Sequence, residues 1–136
     1  MTSTDERPDP TADPSLAAVR GEVRRLMQAF GPEYFRALDA ARAFPEEFFQ
    51  AVAQLGYFGA LLPHEYGGSD GGLAVASVIL EEINRAGGEA SAINAQMTIC
   101  GTWLRDGTKE QRARYLPGVA RGELRCLGVA ATEPDS

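Results

Sequence analysis

The change of pattern at Leu124 constrains the fold of this chain more than any other feature. Up to Glu123, apolar residues return every three or four positions, the period of one helix face. From Leu124 the pattern alternates: Leu124, Cys126, Gly128 and Ala130 fall on one side, Arg125, Leu127, Val129 and Ala131 on the other. This predicts a strand over 124–131, after which Thr132-Glu133-Pro134-Asp135-Ser136 closes the sequence. One strand alone leaves its main-chain donors and acceptors unpaired. Either it pairs with something outside these residues, or the chain is a piece of a longer one. The expectation is a helical fold that stops where a β region begins.

The helices are punctuated clearly. Ser15 can cap a run Leu16–Phe30, with Leu16, Val19, Val23, Leu26 and Phe30 at helical spacing. Gly31-Pro32 interrupts it, and a short second helix is predicted from Glu33 to Arg42. Pro45 suits the first turn of a third, Pro45–Leu55, closed by a left-handed Gly56. Residues 56–72 read as a long ordered loop ending in the turn chemistry of Tyr66-Gly67-Gly68-Ser69-Asp70-Gly71-Gly72. Leu73–Ala86 is an apolar helix with Glu81, Glu82 and Arg85 on its wet side. Ser91–Leu104 is apolar nearly all round, which predicts a central position. Thr108 opens the last helix, Lys109–Ala120, with Gln111 at capping-box spacing. There is no internal repeat.

Composition narrows the function. With 44% apolar residues in 136, one domain with a real core is expected. Lys plus Arg is 13 against 19 for Asp plus Glu, a net charge of −6, which argues against nucleic acid and against an anionic membrane surface. No run approaches the roughly 18 apolar residues of a membrane span. The start, Met1-Thr2-Ser3-Thr4-Asp5-Glu6, lacks the pattern of a secretory leader, so a cytoplasmic protein is expected. Residues 1–14 hold Pro8, Pro10 and Pro14 and four carboxylates against Arg7, and are expected to be a disordered acidic tail. Cys100 and Cys126 are too few for a disulfide framework.

No constellation of residues supports catalysis or metal binding. His64 is the one histidine, with no second ligand suitably spaced, and reads as a loop residue in water. Cys100 reads as a small core hydrophobe rather than a nucleophile. The glycine-rich run 67–72 lacks both phosphate-loop patterns and reads as turns. Glu81 and Glu82 point about 100° apart on a helix and share no site, while Arg85 offers Glu81 an ordinary i,i+4 pair. Small side chains such as Ala92 and Ala95 either let helices pack closely or leave room for a ligand.

The order of several motifs resembles one family. Phe44-Pro45-Glu46-Glu47-Phe48, Leu55-Gly56-Tyr57-Phe58-Gly59 and Leu62-Pro63-His64-Glu65-Tyr66-Gly67-Gly68 are similar to the N-terminal domain of acyl-CoA dehydrogenases. Gly107-Thr108-Lys109-Glu110-Gln111-Arg112, Tyr115-Leu116-Pro117 and Gly122-Glu123 continue the likeness. Ala131-Thr132-Glu133-Pro134-Asp135-Ser136 resembles the opening of that family's flavin-binding signature, without its Gly-Ser-Asp continuation. The resemblance covers residues 15–136. It implies an all-α N-terminal bundle domain of acyl-CoA dehydrogenase type over 15–123 and the first strand of a middle β-barrel domain, incomplete, over 124–136.

The function implied is FAD-dependent α,β-dehydrogenation of an acyl thioester, carried by coenzyme A or by an acyl-carrier protein. A base takes the α proton and the flavin takes the β hydrogen as hydride. The usual base is a glutamate in a later domain, so no residue of this chain is nominated as catalytic, and the 136 residues alone are expected to be inactive. By position, Val129, Ala131 and Thr132 would meet the flavin, and Ala92, Ala95 and Ile99 would wall the acyl pocket. The resemblance further implies a homo-oligomer and an electron acceptor such as an electron-transfer flavoprotein. The alternatives are a non-catalytic helical interaction module derived from the fold, or a flavin oxidase or monooxygenase of the same superfamily.

Overall fold

The computed structural model describes residues 13–128 and 132–134. Six α-helices carry the fold: α1 (Ala17–Met27), α2 (Pro32–Ala41), α3 (Glu46–Gln54), α4 (Gly72–Arg85), α5 (Ser91–Asp106) and α6 (Lys109–Ala120). Every helix expected from the sequence is present. The entrance to α1 differs from expectation. Asp13 rather than Ser15 is the cap, its carboxylate accepting from the Ser15 N–H at 2.8 Å across a 3-10 turn, Pro14–Leu16. An ionised acceptor makes a stronger cap bond than a hydroxyl. Asp13 and Pro14 therefore belong to the folded part; the rest of the expected tail, 1–12, lies outside the described residues. The Thr108–Gln111 capping box forms as the spacing predicts, in both directions.

Two apolar cores organise the helices. The first gathers Val23 and Met27 of α1, Phe48, Phe49 and Val52 of α3, Ile79 and Ile83 of α4, and Ile93 and Met97 of α5. Phe30, Tyr34, Phe35 and Phe48 close it edge to face, with centroids 5.0–5.4 Å apart. Burying each large side chain contributes about 2 kcal/mol before chain entropy is counted. The second core holds Leu62, Tyr66, Cys100, Leu116, Val119 and Ala120.

The loop between α3 and α4 is as ordered as the sequence suggests. Ser69, Asp70 and Gly71 donate main-chain bonds back to Gly59, Leu62 and Ala60. The two strands of this loop pass so close that a Cβ on Gly68 would sit 2.0 Å from the Leu62 carbonyl oxygen. Gly122 turns the chain after α6 at φ +72, where a Cβ would lie 2.9 Å from that of Ala53.

Helix α5 is not apolar all round. Asn94, Thr98, Gly101, Thr102 and Arg105 form an exposed face, and the opposite face bridges the two cores. Glycine and threonine supplied the misleading pattern, since neither carries charge. The strand expected at 124–131 is likewise not seen over its described part. Leu124–Gly128 makes no strand ladder, because no neighbouring strand is present among the described residues to pair with it. Residues 129–131 lie outside them.

Candidate functional site

The segment after α6 crosses the cleft between α3 and α5 and is fixed there from both sides. Gln96, fully buried on α5, donates its amide N–H groups to the carbonyls of Val119 at 3.0 Å and Leu124 at 2.8 Å. Its Oε1 accepts the Cys126 N–H at 2.9 Å. On the other side, Arg125 pairs with both carboxylate oxygens of Glu46 at the start of α3. The same guanidinium lies 4.8 Å from the Phe49 ring centre and 5.4 Å from that of Phe44. Hydrogen bonds from Arg125 and then from Gln50 hold the Glu46 carboxyl down at about 2.

Beside this segment lies a groove of about 560 Å³. Phe44, Pro45, Phe48 and Phe49 form one wall, Ser91, Ala92, Ile93 and Ala95 of α5 the other, and Leu127 stands at its edge. Glu89 also borders it and caps α5, accepting from the Ser91 N–H at 2.7 Å and from the Ser91 hydroxyl. The groove is thus aromatic and aliphatic along its length, with its polar groups confined to the α5 start. Such a space takes an apolar group and has no nucleophile or metal ligand set to act on it.

The site residues expected from the sequence fall in different places. Ala92 and Ala95 line the groove. Ile99 does not; one turn further along α5, it packs against the second core beside Cys100. Thr132 is exposed, and its hydroxyl has no hydrogen-bond partner among the described residues. Val129 and Ala131 lie outside them.

The residues set aside as non-catalytic are found in structural roles. His64 is exposed and its Nδ1 sits 2.9 Å from the Gly68 carbonyl, closing the loop. Cys100 is 0% exposed, and desolvation pushes its thiol up to about 12, as for a cysteine that packs as a small hydrophobe. Burial also raises the thiol of the half-buried Cys126. Arg85 lies 3.9 Å from Glu81, the expected surface pair.

Two residues were not anticipated in their roles. Glu82 is buried, not on the wet side of α4: Arg20 reaches it at 2.6 Å and Arg24 at 2.8 Å from α1. Gln96 stands on the same stripe as Ile93, Met97 and Cys100, and that placement of an amide is the signal that could have revealed it.

The bundle, with a clamped segment leaving it beside the groove, defines an all-α helical domain. Residues 13–123 match the family described as acyl-CoA dehydrogenase, N-terminal domain. The chain belongs to the acyl-CoA dehydrogenase family. It is 36% identical over 122 residues to acyl-CoA dehydrogenase FadE12 of Mycobacterium tuberculosis, covering 88% of this chain and 31% of that protein. It is also 36% identical over 118 residues to 3-(aryl)acrylate reductase of Clostridium sporogenes, covering 82% of this chain and 31% of the relative. The chain therefore spans about a third of the length of the curated relatives it matches. No helix among the described residues is long and apolar enough to cross a membrane.

Proposed function

We propose that this chain is the N-terminal helical part of an FAD-dependent oxidoreductase that acts on the Cα–Cβ bond of an acyl thioester. The observation that carries this reading is the groove between α3 and α5, apolar except at the α5 start and with alanines where larger side chains would fill it, in a chain whose family match spans 13–123. Ala92 and Ala95 leave width for an acyl chain, and the Phe44, Phe48 and Phe49 rings keep water from it. Ile99, outside the groove, is left out of the acyl wall.

The donor chemistry of the terminal segment fits a flavin. Thr132 offers a hydroxyl without a partner among the described residues, and hydroxyl and main-chain N–H groups are what the polar edge of an isoalloxazine accepts. Val129 and Ala131 are proposed as its neighbours against the ring. When bound, FAD supplies the hydride acceptor of the reaction. This chain's own share is to shape the acyl groove, hold the segment that meets the cofactor and donate a hydrogen bond from Thr132. The base that removes the α proton is proposed to lie in other parts of the enzyme. The thioester carrier, coenzyme A or a carrier protein, and the electron acceptor, an electron-transfer flavoprotein or similar, are proposed on family membership, as is a homo-oligomer.

The groove reading is tested by crowding it. Ala95→Leu in the flavin-loaded enzyme should raise KM for long acyl thioesters about tenfold or more over short ones, the size of a methylene-scale discrimination. Uniform loss across lengths would remove the groove from the substrate site. An enzyme that retains no flavin would end the FAD reading, and with it the assignment of Thr132.

A further inference from the structure

We infer that Gln96 is a positioning residue for the cofactor-facing stretch, acting through the main chain of Leu124–Cys126. The inference rests on the reading above that the residues after Gly128 meet a flavin. One side-chain amide on α5 meets both the Leu124 carbonyl and the Cys126 N–H, donating at 2.8 Å and accepting at 2.9 Å. A primary amide has the donor and acceptor of a peptide group. Gln96 thus occupies the place that a neighbouring strand's peptide would take, and its second N–H reaches back to Val119 at the end of α6.

This arrangement sets register. Three main-chain groups on one buried side chain leave no shift of 124–126 along its own axis that keeps all three bonds. Arg125 ties the same three-residue stretch to Glu46 of α3. Thr132 follows Cys126 by six residues, about 20 Å if extended. A shift at 126 is passed along the chain to the residues that follow it.

The test uses the flavin-loaded enzyme of which this chain is the N-terminal part, with Gln96→Met, which keeps the volume and loses all three bonds. Cys126 and Cys100 report separately, because Cys126 is on the clamped segment and Cys100 is in the second core. The expected result is about tenfold faster thiol labelling at Cys126 with Cys100 still protected, and flavin affinity weakened by about tenfold or more, as befits stranding buried main-chain groups. Gln96→Glu, which can accept from Cys126 but donate to neither carbonyl, should weaken flavin binding in the same direction.

Unchanged labelling at Cys126, or Cys100 and Cys126 freed together, overturns the clamp. Cys126 freed with flavin affinity intact overturns the positioning role and leaves the proposed function standing. Failure of the unsubstituted enzyme to bind flavin ends the proposed function and the positioning role together. Should Gln96→Met not fold, hydrogen exchange in the unsubstituted enzyme decides. The Cys126 amide must exchange more slowly than that of exposed Arg125, whose N–H makes no hydrogen bond among the described residues, and equal rates overturn the clamp.

Discussion

Among the described residues two polar side chains are buried, Glu82 at 2% exposure and Gln96 at 0%, and the two halves of the domain use them differently. Glu82 joins α1 to α4 with a charge, held by Arg20 and Arg24. Gln96 joins α5 to an irregular segment with a neutral amide closed on main-chain groups. Guanidinium forks bind a carboxylate in fixed geometry, which suits two rigid helices already sharing an apolar core. A segment without its own ladder offers only N–H and C=O, and an amide is the side chain that satisfies both. The charged anchor is therefore a device of the core, and the neutral one a device of the exit from it.

The largest effect expected from this contrast is at Glu82. Breaking a buried ion pair costs about 3–5 kcal/mol where both partners are dry. Arg24 keeps 57% exposure and Arg20 retains Glu81 at 3.0 Å, so Glu82→Ala should lower unfolding stability by about 2 kcal/mol, less than for a fully dry pair because the partners stay wet. Denaturant titration checks this, and an unchanged midpoint would make the anchor dispensable. The charge also adds a pH signature. The two guanidinium groups hold Glu82 down at about 2 from an ordinary 4.5. A depressed carboxyl contributes stability above 4.5 and loses it as the pH falls toward 2. Thermal midpoints of the natural protein should therefore fall more steeply through that window than those of Glu82→Gln.

Gln96 should behave oppositely. Gln96→Leu strands three main-chain groups, but the segment carrying two of them can swing into water, whereas α1 cannot leave α4 without opening the first core. The global cost should be about 1 kcal/mol, near the value of one ordinary hydrogen bond. It should also vary less across acid pH than the loss at Glu82, since the amide does not titrate and only the exposed Glu46 pair on the same segment does. A loss exceeding that at Glu82, or one that fades as much in acid, would collapse the distinction between the two anchors.

How far the sequence discloses these devices follows from where their partners lie. Helix ends are local, and the Thr108–Gln111 box and left-handed Gly56 are readable within four residues. Glu82 is misread from its own helix because Arg24 lies 58 positions away, and Gln96 because its partners lie 23 to 30 positions on. The strand at Leu124 is a cooperative object whose existence depends on a partner, so alternation alone describes its faces and not its ladder. In the candidate site, helical spacing puts Ala92, Ala95 and Ile99 on related faces of α5. Only tertiary packing of Phe44, Phe48 and Leu127 ends the groove before Ile99.

The smallest effect is expected at the second tether of the exit segment, Arg125 with Glu46. Both groups are well exposed, and exposed pairs contribute little because water and salt screen them. Glu46→Gln should barely move the unfolding midpoint, and the difference should vanish in high salt. Arg125 still lies over Phe49 at 4.8 Å, a contact that Glu46→Gln leaves in place. Arg125→Ala should therefore exceed Glu46→Gln in its effect on Cys126 labelling while remaining below Gln96→Leu. If Glu46→Gln instead frees Cys126 as fully as Gln96→Leu does, the segment is held by its surface charge. The neutral anchor would then be a passenger.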